Sequence, residues 1–431
     1  MSDTRPLVVG AGPAGLRAAI TLAEAGQPCV LVDHAPGIGG AVHADLRAVG
    51  GPQKRTREAL KLLTDFERAR ARIDLRLSTS LAALDHTGTA LLTGAGGMVC
   101  SPQAVILATG ARELVRPRPG ITLPGVTTAG ALQIGLKTAG LSPRGRTLIA
   151  GSGPLLYAIA AQLTRAGAPP VAVLEAGRPA TRAHLVARLP ARLVLEACSY
   201  MAVLCRAGVP LLFGTELHSV EARDGKIVAR TSRNDKWAEI EADHIGLHDG
   251  LARNDYGFSS GDRQAIPVVQ AGDCRQVLGK WAAEEDGYRA ALTVLDRTGL
   301  AHTRSKVSPA HFKAKQTLDR IFANPGDDAL HTLPDDTVLC RCENKRLGEL
   351  RAFVSGSEIE PSARSIRLAL RTGMGPCQGR QCLDWVARLT PGHVTDTDLR
   401  GARWPLKPVT IGDILCAPDH SARPHPQETE A

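Results

Sequence analysis

Four cysteines have spacings that suit metal chemistry. Cys340-Arg341-Cys342 is followed, after a stretch with short-helix character, by Gly375-Pro376-Cys377-Gln378-Gly379-Arg380-Gln381-Cys382. Each pair lies on a short or glycine-rich turn, so two turns can bring four thiolates to one centre. Thiolates select zinc or iron–sulfur clusters. Zinc sites use C-x(2–4)-C knuckles, from which C-x-C departs. A [2Fe–2S] cluster takes four thiolates. Unliganded cysteines are the remaining alternative. The other six of the ten cysteines (Cys29, Cys100, Cys198, Cys205, Cys274 and Cys416) are scattered. Cytosolic redox conditions argue against a disulfide framework.

A second chemistry is written at the N-terminus. The apolar run Pro6-Leu7-Val8-Val9 meets Gly10, Gly12 and Gly15 in a G-x-G-x-x-G pattern, and Pro13 and Ala14 open a helical stretch. Gly10 permits the sharp turn, Gly12 the approach of backbone N–H groups to a pyrophosphate, and Gly15 close helix–strand packing. The helix start adds its dipole and free N–H groups. The next strand ends at Asp33, a carboxylate placed to accept hydrogen bonds from an adenosine ribose. Gly39 and Gly40 can bring backbone close to a ligand. Further on, a buried strand runs into Thr109-Gly110. Asp273, after a strand and a glycine and ahead of a helix, suits a ribityl-phosphate chain or a simple helix cap.

The pattern recurs at Gly151-Ser152-Gly153-Pro154-Leu155-Leu156, with Leu156 in place of the third glycine, and the following strand ends at Glu175. An acid there suits the unphosphorylated ribose of NAD or ATP rather than NADP. The alternative is a duplicated fold unit whose site is empty.

The elements that must position these residues fit an α/β chain of 431 residues, long enough for two or three domains. Aromatics are only 3%, so the cores rest on Ala, Leu and Val. Net charge is +9, but the basic residues are dispersed and lack interleaved aromatics, which argues against nucleic acid. No apolar run reaches membrane-spanning length and no leader pattern opens the chain, so a cytoplasmic protein is expected. Helices are expected over residues 55–69, 181–207 and 281–295, and from Ser308-Pro309 to about Phe322, ended by Asn324-Pro325-Gly326. Asp224-Gly225 signals a hairpin, and residues 417–431 read as a disordered tail. No dithiol follows Gly39-Gly40, so disulfide reductase chemistry has no nucleophile. His244 and His248 read as structural or solvated, and no catalytic residue is assigned.

With these pieces in order, residues 5–412 resemble the larger, α-type subunit of heteromeric dye-linked amino-acid dehydrogenases. That family includes opine oxidases, D-hydroxyproline dehydrogenase and the related hydrogen cyanide synthase. The resemblance is carried by Gly10–Gly15, residues 108–113, 124–131 and 151–156, Cys340-Arg341-Cys342-Glu343 and residues 375–382. Departures are Ala41 where relatives often have Gln, and His34 where many carry a second acid. The resemblance implies a glutathione-reductase-like fold of two dinucleotide-binding domains with a small C-terminal [2Fe–2S] domain. Residues 1–120 and 260–305 would form the FAD domain, 121–259 the second domain, 306–334 a connecting helix, 335–412 the cluster domain and 413–431 a tail. FAD would lie along Gly10–Gly15 and Asp33 with Asp273 near its phosphate, and the cluster on Cys340, Cys342, Cys377 and Cys382. A smaller flavoprotein β subunit would oxidise the amine, with FMN held between the chains in some relatives, a small third subunit in some complexes, and an external electron acceptor. Three functions compete: an electron-transfer component of such a complex, a self-contained NADH-dependent reductase, and a non-catalytic partner whose cofactors only stabilise it.

Overall fold

The strand Leu7–Val9 pairs in parallel with Cys29–Val32 on one side and Val105–Leu107 on the other. Ile73–Arg76 and Val268–Gln270 complete the edges of this five-stranded sheet. The three central strands are wholly buried, as expected for a parallel sheet covered on both faces. The computed structural model describes residues 3–43, 57–95, 97–255, 257–258, 265–277, 279–299, 310–323, 328–390, 392, 394–395, 398–399 and 405–415. The capping signals at Ser308-Pro309 and Asn324-Pro325-Gly326, together with Cys416 and the tail after it, lie outside the described residues.

The first turn depends on its glycines. A Cβ on Gly15 would stand 1.7 Å from the Gly10 carbonyl oxygen, so the helix Pro13–Glu24 can lie this close to its strand only with hydrogen at that position. Against the same helix packs Lys280–Thr298, where a Cβ on Gly287 would come within 2.1 Å of the Ala14 carbonyl oxygen. The segment after the first sheet's last strand is thereby pressed against the N-terminal turn.

A second parallel sheet runs in the order Leu211–Phe213, Ala172–Glu175, Thr147–Gly151, His244–His248, Val126–Thr128. The antiparallel meander Thr215–Arg223, Lys226–Arg233 and Lys236–Ala242 packs on it. Asp224 and Gly225 turn its first hairpin with φ of 50° and 75°, the left-handed pair of a type I′ turn. The helix expected over residues 181–207 is two elements. A 3-10 stretch, Pro179–Arg188, gives way at Leu189-Pro190 to the helix Ala191–Arg206. The proline nitrogen cannot donate to a helical ladder, and the residue before it is pushed out of the helical region.

An antiparallel pair, Ala111–Glu113 with Leu251–Arg253, joins the two sheets. Near the C-terminus a separate core gathers Leu330, Leu339, Leu347, Leu350, Ile366, Leu383, Trp385 and Val386, with Leu114 packed against it. Among the described residues no helix is long and apolar enough to cross a membrane.

Replacing Gly15 by Ala forces the helix off its strand. Chemical unfolding is expected to show a loss of about 1–3 kcal/mol.

Candidate functional site

The N-terminal turn is braced by the acid at the end of its second strand. Asp33 is buried; its Oδ2 accepts from Ala11 N at 2.6 Å and its Oδ1 from Ala35 N at 2.8 Å. Burial pushes this carboxyl up, but His34 and the two backbone donors outweigh it and hold it below the usual carboxylate value. A carboxylate has about four acceptor positions, and the two backbone bonds leave room for a ribose hydroxyl. Gly39 N donates to Ala11 O at 2.8 Å, and Gly40, at φ 61°, lies with no space for a Cβ against Gly12. The structure therefore brings Gly10, Gly12, Pro13, Ala14, Gly15, Asp33, Gly39 and Gly40 together around one helix N-terminus, the arrangement that receives a pyrophosphate.

Asp273 accepts at 3.1 Å from the backbone N of Gly279, the N-cap residue of the helix Lys280–Thr298, so it braces the turn that leads into the helix rather than capping the helix itself. Beside it is a residue that sequence reading missed. Asp286 is fully buried and accepts from Gly272 N at 2.8 Å, from Arg275 Nη2 at 2.8 Å and from Arg289 Nε at 2.7 Å. Burial opposes its ionisation, yet the two arginines keep its carboxyl below the ordinary range. The available signal was an acid in mid-helix with an arginine three residues on. Asp286 fixes the Gly272-Asp273 turn.

At the second turn the geometry differs. Glu175 is buried, and its oxygens accept four hydrogen bonds from this chain: Ser152 Oγ at 2.6 Å, Gly153 N at 3.0 Å, Tyr157 OH at 3.2 Å and Gly177 N at 2.9 Å. Phe322 packs on Tyr157 with ring centroids 6.0 Å apart, and Ala323 O accepts from Arg182 Nη1 at 3.1 Å. Gly151 approaches His248 so closely that a Cβ would stand 1.8 Å from its carbonyl oxygen. Leu156, the departure from the glycine pattern, is fully buried in the core behind the sheet.

The four cysteines meet as two pairs, Cys340 with Cys382 and Cys342 with Cys377, each within hydrogen-bonding reach, and charge on one is felt across the pairs. The Cys382 thiol and, against the cost of burial, the backbone N–H groups of Glu343, Cys342 and Gly373 lower Cys340 to about 6. Burial raises Cys342, and the bond to Cys340 followed by burial raises Cys382. Positive φ at Asn344, Gly373, Gln378 and Gly379 curls both turns inward, the backbone shape that aims N–H groups at an anion. A Cβ on Gly375 would stand 2.3 Å from Cys342 Cβ, so only glycine lets the second loop lie against the first. Among the described residues no three His, Cys, Asp or Glu side chains are grouped for a single metal ion.

This thiol site docks on the strands that join the two sheets. Arg112 Nη2 meets Asp384 Oδ2 at 2.5 Å, and its Nη1 donates to Arg380 O. Arg341 donates to Ile121 O. Asn254 receives Arg380 Nε on its Oδ1 and donates to Thr109 O. Thr109 and Gly110 thus stand between the first sheet and the cysteine loop. One residue on from Arg112, Glu113 accepts from Gly130 N and pairs with the buried His248 at 2.8 Å.

The family model described as pyridine nucleotide-disulphide oxidoreductase matches residues 4–273. The chain belongs to this family of oxidoreductases. Within it, this oxidoreductase is 30% identical to one of the subunits of opine oxidase from Rhizobium meliloti, over 96% of this chain and 99% of that one. It is 32% identical to the HcnB subunit of hydrogen cyanide synthase from Pseudomonas aeruginosa, over 94% and 97% of the two chains. Its fold is that of L-proline dehydrogenase from P. horikoshii, with a TM-score of 0.65 at 18% identity, covering 95% of this chain and 79% of the other. The family makes it a flavoprotein oxidoreductase, and the glycine turn braced by Asp33 has the shape that a dinucleotide such as FAD requires.

Asp286 supplies the pH-dependence of the flavin-side turn. Because its carboxyl is held lower in the fold than in the unfolded chain, its contribution is complete above the ordinary carboxylate pKa and is lost as pH falls through the folded value. Asp286→Asn is expected to cost about 1–3 kcal/mol at neutral pH. The variant should also flatten the loss of stability below roughly pH 4, as read by unfolding curves over a pH series.

Proposed function

We propose that this chain is the electron-transfer subunit of a heteromeric amino- or imino-acid dehydrogenase. FAD would be held by the Gly10–Gly15 turn and Asp33, and a [2Fe–2S] cluster by Cys340, Cys342, Cys377 and Cys382. A partner flavoprotein chain would oxidise a C–N bond of an opine or D-hydroxyproline to an imine, and the electrons would leave this chain for an external acceptor. When bound, the two groups supply electron carriage between a two-electron and a one-electron centre. The observation that carries the reading is the docking of the four-thiol loop, through Arg112, Arg380 and Asn254, on the Thr109–Glu113 stretch that leaves the flavin sheet.

This chain's own residues do the rest of the work in this reading. The Cys382 thiol and the backbone N–H groups favour thiolate at Cys340, the form that ligates iron, whereas the Cys342 and Cys382 thiols, which are raised, would give up their protons on ligation. Two sulfur pairs suit two irons better than one zinc. Arg341, whose charge is felt at Cys342, and Arg380, against the Cys377 carbonyl, would offset part of the charge of a thiolate-ligated cluster. Relatives named as subunits of opine oxidase and hydrogen cyanide synthase support assembly with a second chain.

The second reading, an NADH-dependent reductase, draws on the retained Gly151 and Gly153. Glu175 weighs against it, because its four acceptor positions are spent on Ser152, Gly153, Tyr157 and Gly177. A ribose diol, whether of NAD or ATP, would have to displace one of them.

Anaerobic titration separates the two. NADH is expected to leave the flavin and cluster absorption bands unchanged while dithionite bleaches both; bleaching at stoichiometric NADH would establish the reductase. Iron and acid-labile sulfide should each be found at about two per chain. Gly375→Ala, which drives the loops apart, should lose most of both while retaining FAD.

A further inference from the structure

Arg380 lies between two of the four cysteines, and its side chain turns toward the flavin sheet. Its Nη1 donates to Cys377 O at 3.3 Å, within its own loop. Its Nε donates to Asn254 Oδ1 at 3.2 Å, on the crossing between the sheets. Asn254 in turn grips the Thr109-Gly110 turn at three points. Its Nδ2 donates to Thr109 O at 3.2 Å, its backbone N donates to Gly110 O at 3.1 Å, and its carbonyl accepts from Thr109 Oγ1. Arg112 closes the arrangement from the other side by donating to Arg380 O. Lys407, half-buried and lowered by that burial, lies close enough for Arg380 to lower it further.

Two consequences follow from the chemistry of these groups. A guanidinium keeps its charge at every working pH, so Arg380 is a fixed cation held against the Cys377 carbonyl of the loop that carries two of the thiols. A centre that gains an electron next to a fixed cation has its reduced form stabilised, and the effect is larger away from bulk water. Asn254 also uses donors and acceptor together, so the cysteine loop is held to the flavin-side turn by hydrogen bonds of defined direction rather than by apolar contact alone. Removing the arginine and removing the asparagine should therefore have different signatures.

We propose that Arg380 and Asn254 are the positioning pair of the electron path: Arg380 tunes the cluster toward reduction, and Asn254 holds the cysteine loop at transfer distance from the flavin side. This rests on the reading of the four cysteines as a [2Fe–2S] site. The step is a one-electron transfer, in which the flavin is oxidised and the cluster reduced by the same electron. No bond between heavy atoms forms or breaks.

The test uses the purified full-length chain with its native cofactors, comparing wild type, Arg380→Gln, Arg380→Lys and Asn254→Ala. Iron and sulfide content, the electron paramagnetic resonance of the reduced cluster and its midpoint potential are measured. Flavin-to-cluster transfer is followed after rapid mixing with dithionite. Arg380→Gln should keep its iron and shift the flavin–cluster electron equilibrium about tenfold away from the cluster, 59 mV for one electron. Asn254→Ala should keep the wild-type potential and slow the transfer by about tenfold. Arg380→Lys should restore the potential but not the rate, since an ammonium cannot reach both Cys377 O and Asn254 in the planar fork of a guanidinium. An unchanged potential in iron-replete Arg380→Gln, or an unchanged rate in Asn254→Ala, overturns the proposal. If Arg380→Gln loses its iron, Arg380→Lys decides: a slowed rate at wild-type potential supports the pairing, and a wild-type rate overturns it. A wild-type chain without iron or sulfide would instead overturn the cluster reading itself, a result visible before any variant is made.

Discussion

The buried ion pair between Arg112 and Asp384 is the contact on which the arrangement of the site depends. Its side chains are only 8% and 11% exposed, and the N···O distance is 2.5 Å. Burying two charges costs desolvation that their attraction does little more than offset, so such a pair contributes more to where surfaces meet than to net stability. Here it selects one docking of the cysteine loop on the strand Ala111–Glu113. Side chains alternate along a strand, and the strand uses both sides: Arg112 holds the thiol unit while Glu113 holds Gly130 and His248 of the second sheet's unit. Three residues thus connect three parts of the molecule, and Leu114 inserts into the C-terminal core immediately after them.

A second buried pair stiffens the same crossing. Arg118 meets Asp249 with both terminal guanidinium nitrogens, at 2.7 and 2.5 Å, and Arg118 Nε donates to Leu217 O at 2.8 Å. Burial works against both charges, yet each holds the other ionised, Asp249 below and Arg118 above its ordinary value. The strands leaving and re-entering the flavin sheet are therefore tied to each other as well as to the units they connect. The electron path proposed above would need this kind of rigidity, because transfer depends steeply on a separation that the crossing helps to set.

The two acids that end matching strands show how one motif diverges by packing. Asp33 accepts two bonds from backbone N–H groups and keeps acceptor capacity, whereas Glu175, one methylene longer, reaches Ser152, Gly153, Tyr157 and Gly177 at once. Tyr157 is itself covered by Phe322, from the segment that follows the helix Lys280–Thr298. The second turn keeps the first two glycines and the terminal acid, but Ser152 and Tyr157 stand where the first turn has Ala11 and Leu16 and supply two of the donors that occupy Glu175. Phe322, far along the chain, then covers Tyr157 and accepts from Ser152, which no local spacing reports.

Local spacing along the chain is enough to specify the strand–turn–helix at Gly10–Gly15, its repetition at Gly151 and Gly153, the hairpin at Asp224-Gly225 and the grouping of the cysteines into C-x-C and C-x4-C. Each rests on a short-range constraint: a φ that only glycine tolerates, a tight turn, a fixed number of residues between two thiols. Residues 181–207 read as one continuous helix because apolar periodicity persists on both sides of Pro190, while the break is a backbone effect of one ring. Which thiols pair, that Asp286 rather than a nearer residue braces Gly272, that Glu175 is already satisfied, and that Arg380 reaches Asn254 emerge only once the chain has folded. Each of those depends on at least one partner brought in from far along the chain, and the energy that selects them is the cost of leaving a buried polar group or charge without its partner.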